Sequence, residues 1–172
     1  MGDFTAAFIR RDRILFSLIN QKLRMRFFDR WFGMLTNLGS TEFSILITSL
    51  FLYIQPETGE RLATNLLISQ IIIHALKRII NRPRPYEIME CNISFSPPEC
   101  IYSFPSGHSG ASLSIALVLS AALPALSPLL LFLAFLVSFS RIYLGYHFAS
   151  DVTAGLLISY LTFLFFPHWI LF

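Results

Sequence analysis

Three separated stretches of the chain hold side chains that can handle a phosphoryl group. Lys77, Arg84 and Arg141 are cations with too few acidic neighbours in the sequence to neutralise them, so an anion is their natural partner. Arg suits planar, bidentate clamping of phosphate, and Lys adds a point charge. In FPSGHSG, Phe104 to Gly110, Ser106 stands where a helix should begin and can serve as its N-cap. The amides of such a first turn, Gly107 among them, form an anion-binding end with His108 in the same turn. In SRIYLGYHFASD, Ser140 to Asp151, His147 and Asp151 are four residues apart, the spacing that shares a helix face. A carboxylate that holds one imidazole nitrogen leaves the other as a nucleophile or base. Each stretch alone has a plainer reading: cations anchoring a helix end, an interfacial histidine, a helix-capping His–Asp pair. Together they describe an anion site equipped for displacement.

The elements that must bring them together are set by composition. Of 172 residues, 13% are charged and 55% hydrophobic, Phe occurs 18 times, and the mean hydropathy is +0.63. Soluble domains carry about 25% charged residues. Disorder, a collagen-like chain and a disulfide-dense scaffold are excluded, and lipid is the solvent that fits. The length suits one domain over 1–172. A helix needs roughly 20 residues to cross hydrocarbon. The segment from Gly107 to Ser140 lacks Asp, Glu, Lys and Arg, and Pro124 and Pro128 divide it in two. The predicted fold is all-α, a membrane bundle of five spans at about 39–56, 61–80, 106–124, 127–146 and 150–168. Residues 1–35 carry seven basic residues among apolar ones, a pattern suited to an amphipathic helix in the headgroup layer rather than a cleavable leader. The competing reading is a basic lead-in that serves topology alone. This span map gathers Lys77, Arg78, Arg82, Arg84, Ser106, His108, Arg141, His147 and Asp151 in one layer at one membrane face, where ionisable groups are costly and usually functional.

These residues resemble the type 2 phosphatidic acid phosphatases, a family related to vanadium haloperoxidases and glucose-6-phosphatase. Lys77 through Arg84-Pro85 is similar to its first block, Pro105-Ser106-Gly107-His108 to its second, and Ser140-Arg141, His147 and Asp151 to its third, so the blocks span 77–151. The resemblance implies a metal-independent phosphatase that needs no cofactor. It implies that His147 attacks phosphorus to form a phosphohistidine, that His108 protonates the leaving oxygen and then assists water, and that Asp151 orients His147. Lys77, Arg84, Ser106, Gly107 and Arg141 would bind the phosphoryl oxygens, with His147 neutral and His108 charged at the start. The expected substrates are lipid phosphates or pyrophosphates held in the membrane: phosphatidate, phosphatidylglycerol phosphate or a polyprenyl (pyro)phosphate. Nucleic acid is not an expected partner. The alternative is a non-catalytic protein that binds or transports anionic headgroups, which would have no use for the His147–Asp151 spacing.

The expected location is a bacterial cell membrane. Many bacterial members of that family have six spans, and here only the basic segment precedes the first of five. By the span map Arg61 is the only one of 13 Lys and Arg away from the site face, which by the positive-inside rule favours a cytoplasmic site. The resemblance implies an extracytoplasmic one, and that is the expectation adopted. Cys91 and Cys100 flank NISFSPPE in the loop over the site and would pair only in an oxidising compartment, with two free thiols as the other reading. Trp31, Tyr53, Tyr160, His168 and Trp169 are expected in interface belts, His74 is expected to pack rather than react, and nothing in the spacing gives Tyr143 or Tyr146 a role.

Overall fold

The computed structural model describes residues 2–93 and 101–166, and all regular structure among them is helical. In chain order the helices are α1 (Gly2–Ser17), α2 (Arg26–Leu35), α3 (Thr41–Ile54), α4 (Pro56–Ile80), the single turn α5 (Pro85–Ile88), α6 (Gly107–Ala122), α7 (Ser127–Tyr143) and α8 (Ala149–Phe165). The five predicted spans correspond to α3, α4, α6, α7 and α8. Pro56–Ile88 and Pro124–Tyr143 are each long and apolar enough to cross a bilayer alone, and Phe27–Gly39 with Thr41–Ile54 qualifies as a pair bent by 51°. Gly107–Ala122 and Ala149–Phe165 are apolar but shorter. Leu46, Ile71, Phe135, Leu157 and Phe165 stand exposed on the outer faces, which is what a lipid solvent asks for.

Local chemistry fixes the ends. Ser40 caps α3 by accepting the Phe43 N–H at 3.2 Å. Pro56 opens α4, where a missing N–H costs nothing. At the other end Asn81 adopts a left-handed conformation (φ 47°) and its N–H bonds the Lys77 carbonyl at 3.1 Å. Pro83 then prevents continuation.

Helix α6 is the centre, packed against α4, α7 and α8. Two apolar surfaces do not attract one another inside lipid, so close packing and interhelical hydrogen bonds must hold them. The buried face of α6 is accordingly small: Gly110, Ala111, Ser112 and Ser114. Ser159 of α8 donates to the Gly110 carbonyl at 2.7 Å, and Ser69 of α4 meets Ser114 at 3.2 Å. A side chain added at Gly155 would run into the carbonyl of Ser106, so α8 crosses the start of α6 nearly backbone to backbone. Further along, Phe51, Leu62, Leu66, Ile115 and Leu119 fill the interior.

The N-terminal segment is more divided than one amphipathic helix over 1–35. A π-helical turn (Leu18–Lys22) follows α1, and a 3₁₀ turn (Thr36–Gly39) joins α2 to α3. On α1, Ile9, Ile14 and Leu15 are exposed while Asp12 and Phe16 are buried against the bundle. The Phe16 ring lies 5.5 Å from that of Phe148. On α2, Phe32 sits 5.6 Å from Phe139 and 4.5 Å from Tyr143. The Asn20 amide donates to the carbonyls of Asn92 (2.9 Å) and Tyr143 (2.8 Å), tying the π-turn to the loop that follows α5 and to the end of α7. Trp31, Tyr53 and Tyr160 are exposed, as interface rings would be. His168, Trp169 and Cys100 lie outside the described residues, and with Cys100 the choice between a bridge to Cys91 and two free thiols.

Candidate active site

Every chemically interesting side chain sits at the end of an element, on one level of the bundle. Lys77 is in the last turn of α4, buried, with Nζ donating to the Tyr102 carbonyl at 2.9 Å. Arg84 precedes α5, and its Nη1 donates to the Tyr146 carbonyl at 3.0 Å. Arg141 is in the last turn of α7, where Nη1 donates to Thr36 Oγ1 at 2.6 Å, the guanidinium lies 4.6 Å from the Tyr146 ring centre, and Nε has no partner. Holding three buried cations this close costs a great deal unless an anion comes to meet them.

His147 reaches the same place through a turn. After α7 the N–H groups of Tyr146 and His147 both return to the Arg141 carbonyl, at 3.0 and 3.2 Å, and Gly145 takes the positive φ (89°) that the reversal requires. His147 is 2% exposed, and its Nε2 lies 3.4 Å from Arg84 Nη1. Burial, and then Arg84, Arg141 and Lys77, hold this imidazole well below its ordinary pKa, so it is neutral at physiological pH.

The expectation that His147 and Asp151 share a helix face is not met. Helix α8 begins at Ala149, so His147 stands before it and Asp151 lies in its first turn. Nδ1 of His147 is 3.6 Å from Asp151 Oδ2, too long for a hydrogen bond, and it has no other partner. Asp151 is fully occupied. Its Oδ2 accepts the Phe148 N–H at 2.8 Å and the Ser103 hydroxyl, and its Oδ1 accepts from Arg82 Nη1 at 2.6 Å. The spacing therefore brings the two groups together across a helix start, where the free N–H groups compete for the carboxylate.

Ser106 N-caps α6 as expected. Its Oγ accepts from the Ser109 hydroxyl at 2.9 Å, and its own N–H donates to the Asp151 carbonyl at 2.9 Å, joining the starts of α6 and α8. A cavity of about 520 Å³ is lined at one end by Lys77, Arg84, Gly107, His108, Arg141 and His147, and runs between α3 and α4 as far as Ser49 and Ala63. Ser106 and Asp151, both buried, do not line it. Six of the eight expected site residues thus share one cavity, and the other two stand behind it.

Sequence reasoning placed Arg82 at the site face without a role of its own, and passed over Ser103 and Asp12. Arg82 bridges two carboxylates, Asp151 at 2.6 Å and Asp12 at 2.7 Å, and lies 4.3 Å over the Phe148 ring. One signal for Asp12 was present: a lone carboxylate among Arg10, Arg11 and Arg13. Nothing marked Ser103.

Comparison with known proteins identifies the family and the fold. Residues 60–172 match the PAP2 superfamily. A curated Sulfolobus acidocaldarius protein described as an undecaprenyl-diphosphatase is 32% identical over 108 residues, 62% of this chain, and the match spans 52% of that protein's length. Among solved structures, Aquifex aeolicus LpxE is similar at a TM-score of 0.79 and 31% identity, over 86% of this chain and 89% of that one. The PAP2-type phosphatidylglycerolphosphate phosphatase of Bacillus subtilis is similar at a TM-score of 0.71 and 26% identity, over 96% and 89%.

Proposed function

The chain belongs to the PAP2 superfamily, and from that premise we propose that it is an integral membrane phosphatase acting on the phosphomonoester or diphosphate of a lipid through a phosphohistidine on His147. The observation that carries this reading is the position of His147 Nε2, 3.4 Å from Arg84 Nη1 at the cationic end of a cavity it shares with Lys77, His108 and Arg141. With Nδ1 protonated toward Asp151, the Nε2 lone pair accepts from Arg84 Nη1 at 3.4 Å, and it would turn to phosphorus once a phosphoryl group engages that guanidinium.

In the first step Nε2 bonds to phosphorus, the bond to the leaving oxygen breaks, and His108, charged once the phosphate anion has entered among the cations, gives that oxygen its proton. In the second, His108 takes a proton from water, the water oxygen bonds to phosphorus, and the P–N bond breaks to return His147 and free phosphate. Lys77, Arg84 and Arg141, with the Gly107 amide, hold the three equatorial oxygens; such positioning and charge stabilisation supply most of the catalysis in phosphoryl transfer. Asp151 favours the positive charge that grows on His147. The Ser106 hydroxyl supports the turn that presents Gly107 and His108. A cradle of cations repels a metal ion, so the reaction is read as metal-independent. The lipid tail would extend from the phosphate along the cavity between α3 and α4, and the names of the similar proteins are the reason to try phosphatidylglycerol phosphate and a polyprenyl diphosphate as substrates. We assign the site to the extracytoplasmic face on the family resemblance; labelling of a single thiol at Cys91 by an impermeant reagent on intact cells tests that.

The decisive experiment measures phosphate release by the purified chain in detergent from phosphatidate, phosphatidylglycerol phosphate and farnesyl diphosphate. Turnover should persist in EDTA, be blocked by vanadate, and drop by about a thousandfold or more in His147→Ala, as when a nucleophile is lost. Unchanged turnover in that variant removes the phosphohistidine, and loss of activity with EDTA replaces it with metal chemistry.

A further inference from the structure

We propose that Asp12 of α1 is a positioning residue of this reaction, acting through Arg82 on Asp151, so that the N-terminal helix belongs to the catalytic apparatus. The inference rests on the phosphatase reading above. It begins with an arrangement that topology alone does not require. Asp12 lies in the most basic part of the chain, yet it is only 6% exposed and turned away from Arg10, Arg11 and Arg13 into the bundle. Its Oδ2 accepts from Arg82 Nη2 at 2.7 Å and from the Ser150 hydroxyl, and its Oδ1 accepts the Ser150 N–H at 3.0 Å. Asp12 thus caps α8 from another helix, at the positive end where a carboxylate is most favoured.

Arg82 completes the connection. One guanidinium edge serves Asp12, while Nη1 serves Asp151 and Ser150, both at 2.6 Å. The plane rests on Phe148, which in turn packs against Phe16, one helical turn after Asp12 on α1. Two carboxylates share one cation, leaving one net negative charge beside the histidine. Without Asp12, Arg82 would neutralise Asp151 completely, and the carboxylate 3.6 Å from His147 Nδ1 would offer the developing imidazolium less. Among the described residues Asp12 does not line the cavity, and neither do its partners Arg82 and Ser150, so its removal should slow the chemical step and leave phosphate binding alone.

The experiment uses the full chain in detergent, with phosphate release from phosphatidate and farnesyl diphosphate and inhibition by vanadate. Asp12→Asn keeps an acceptor for the Ser150 N–H and deletes the charge. It should lower kcat tenfold or more, the scale of a misplaced catalytic group, with KM and the vanadate inhibition constant changed less than about threefold. In an Arg82→Gln background the further change Asp12→Asn should leave kcat where Arg82→Gln alone puts it, because Asp12 acts only through Arg82. Asp12→Glu, which keeps the charge, should recover part of kcat and serves if the Asn variant does not fold. Wild-type kcat in Asp12→Asn, a parallel loss of vanadate affinity, or multiplying effects in the double variant would each overturn the proposal while leaving the phosphatase reading intact. If wild type releases no phosphate, or His147→Ala is unimpaired, the phosphatase reading fails first and takes this inference with it.

Discussion

His147 carries its two ring nitrogens into opposite surroundings, and that asymmetry decides its chemistry. Nε2 faces the cations, and Nδ1 faces a carboxylate. Because the folded imidazole is held below its ordinary value of about 6.5, it is neutral above that pH and gains a proton only as pH falls through the lowered value. The ring carbon resonances of His147 in the isotope-labelled, substrate-free protein should therefore not titrate between pH 8 and 6; a midpoint at or above 6.5 would show that the neighbouring cations do not act on it. The same asymmetry explains what could be read in advance. The types and spacing of Lys77, Arg84, His108, Arg141 and His147 point to a common anion because each is expensive at membrane depth without one. The hold on Asp151 was illegible, since Ser103 and Arg82 reach it through contacts between distant parts of the chain, which no local periodicity encodes.

At the level of elements, the site is a meeting of helix ends, and the tightest junction lies where α8 crosses the first turn of α6. Gly155 has no room for a side chain against Ser106, and Ser159 bonds Gly110 on the same face. Gly155→Val should push these helix starts apart, costing roughly 1–3 kcal/mol in detergent melting and lowering turnover through His108; a variant with unchanged melting and activity would show that the junction can give way. The spans themselves were legible from charge-free runs and the prolines between them, as α4, α6, α7 and α8 show. The segment before α3 was read less well. Its basic, apolar composition describes the outer face, whereas the inward turn of Asp12, Phe16 and Asn20 depends on partners that only the folded bundle supplies.

For the whole molecule, length is the quantity that matters. Helices α6 and α8 have 16 and 17 residues, about 24–26 Å at 1.5 Å per residue, while α4 has 25. A hydrocarbon layer about 30 Å thick exceeds the two short helices by roughly 5 Å, and each ångström of mismatch costs a fraction of a kcal/mol. Reconstituted in vesicles of defined chain length, the protein should hydrolyse lipid phosphate several-fold faster in 14-carbon than in 22-carbon phosphatidylcholine; equal rates would mean that thickness is absorbed by tilt. The shortness of α6 and α8 has a physical outcome for the surrounding leaflet. On the proposed function, a leaflet that thins beside the short α8 would bring the bilayer surface down toward the cavity. A lipid phosphate drifting sideways into that thinned ring would have its head lowered toward Lys77, Arg84 and Arg141 by the shape of the sheet alone, with no need to be lifted out of oil.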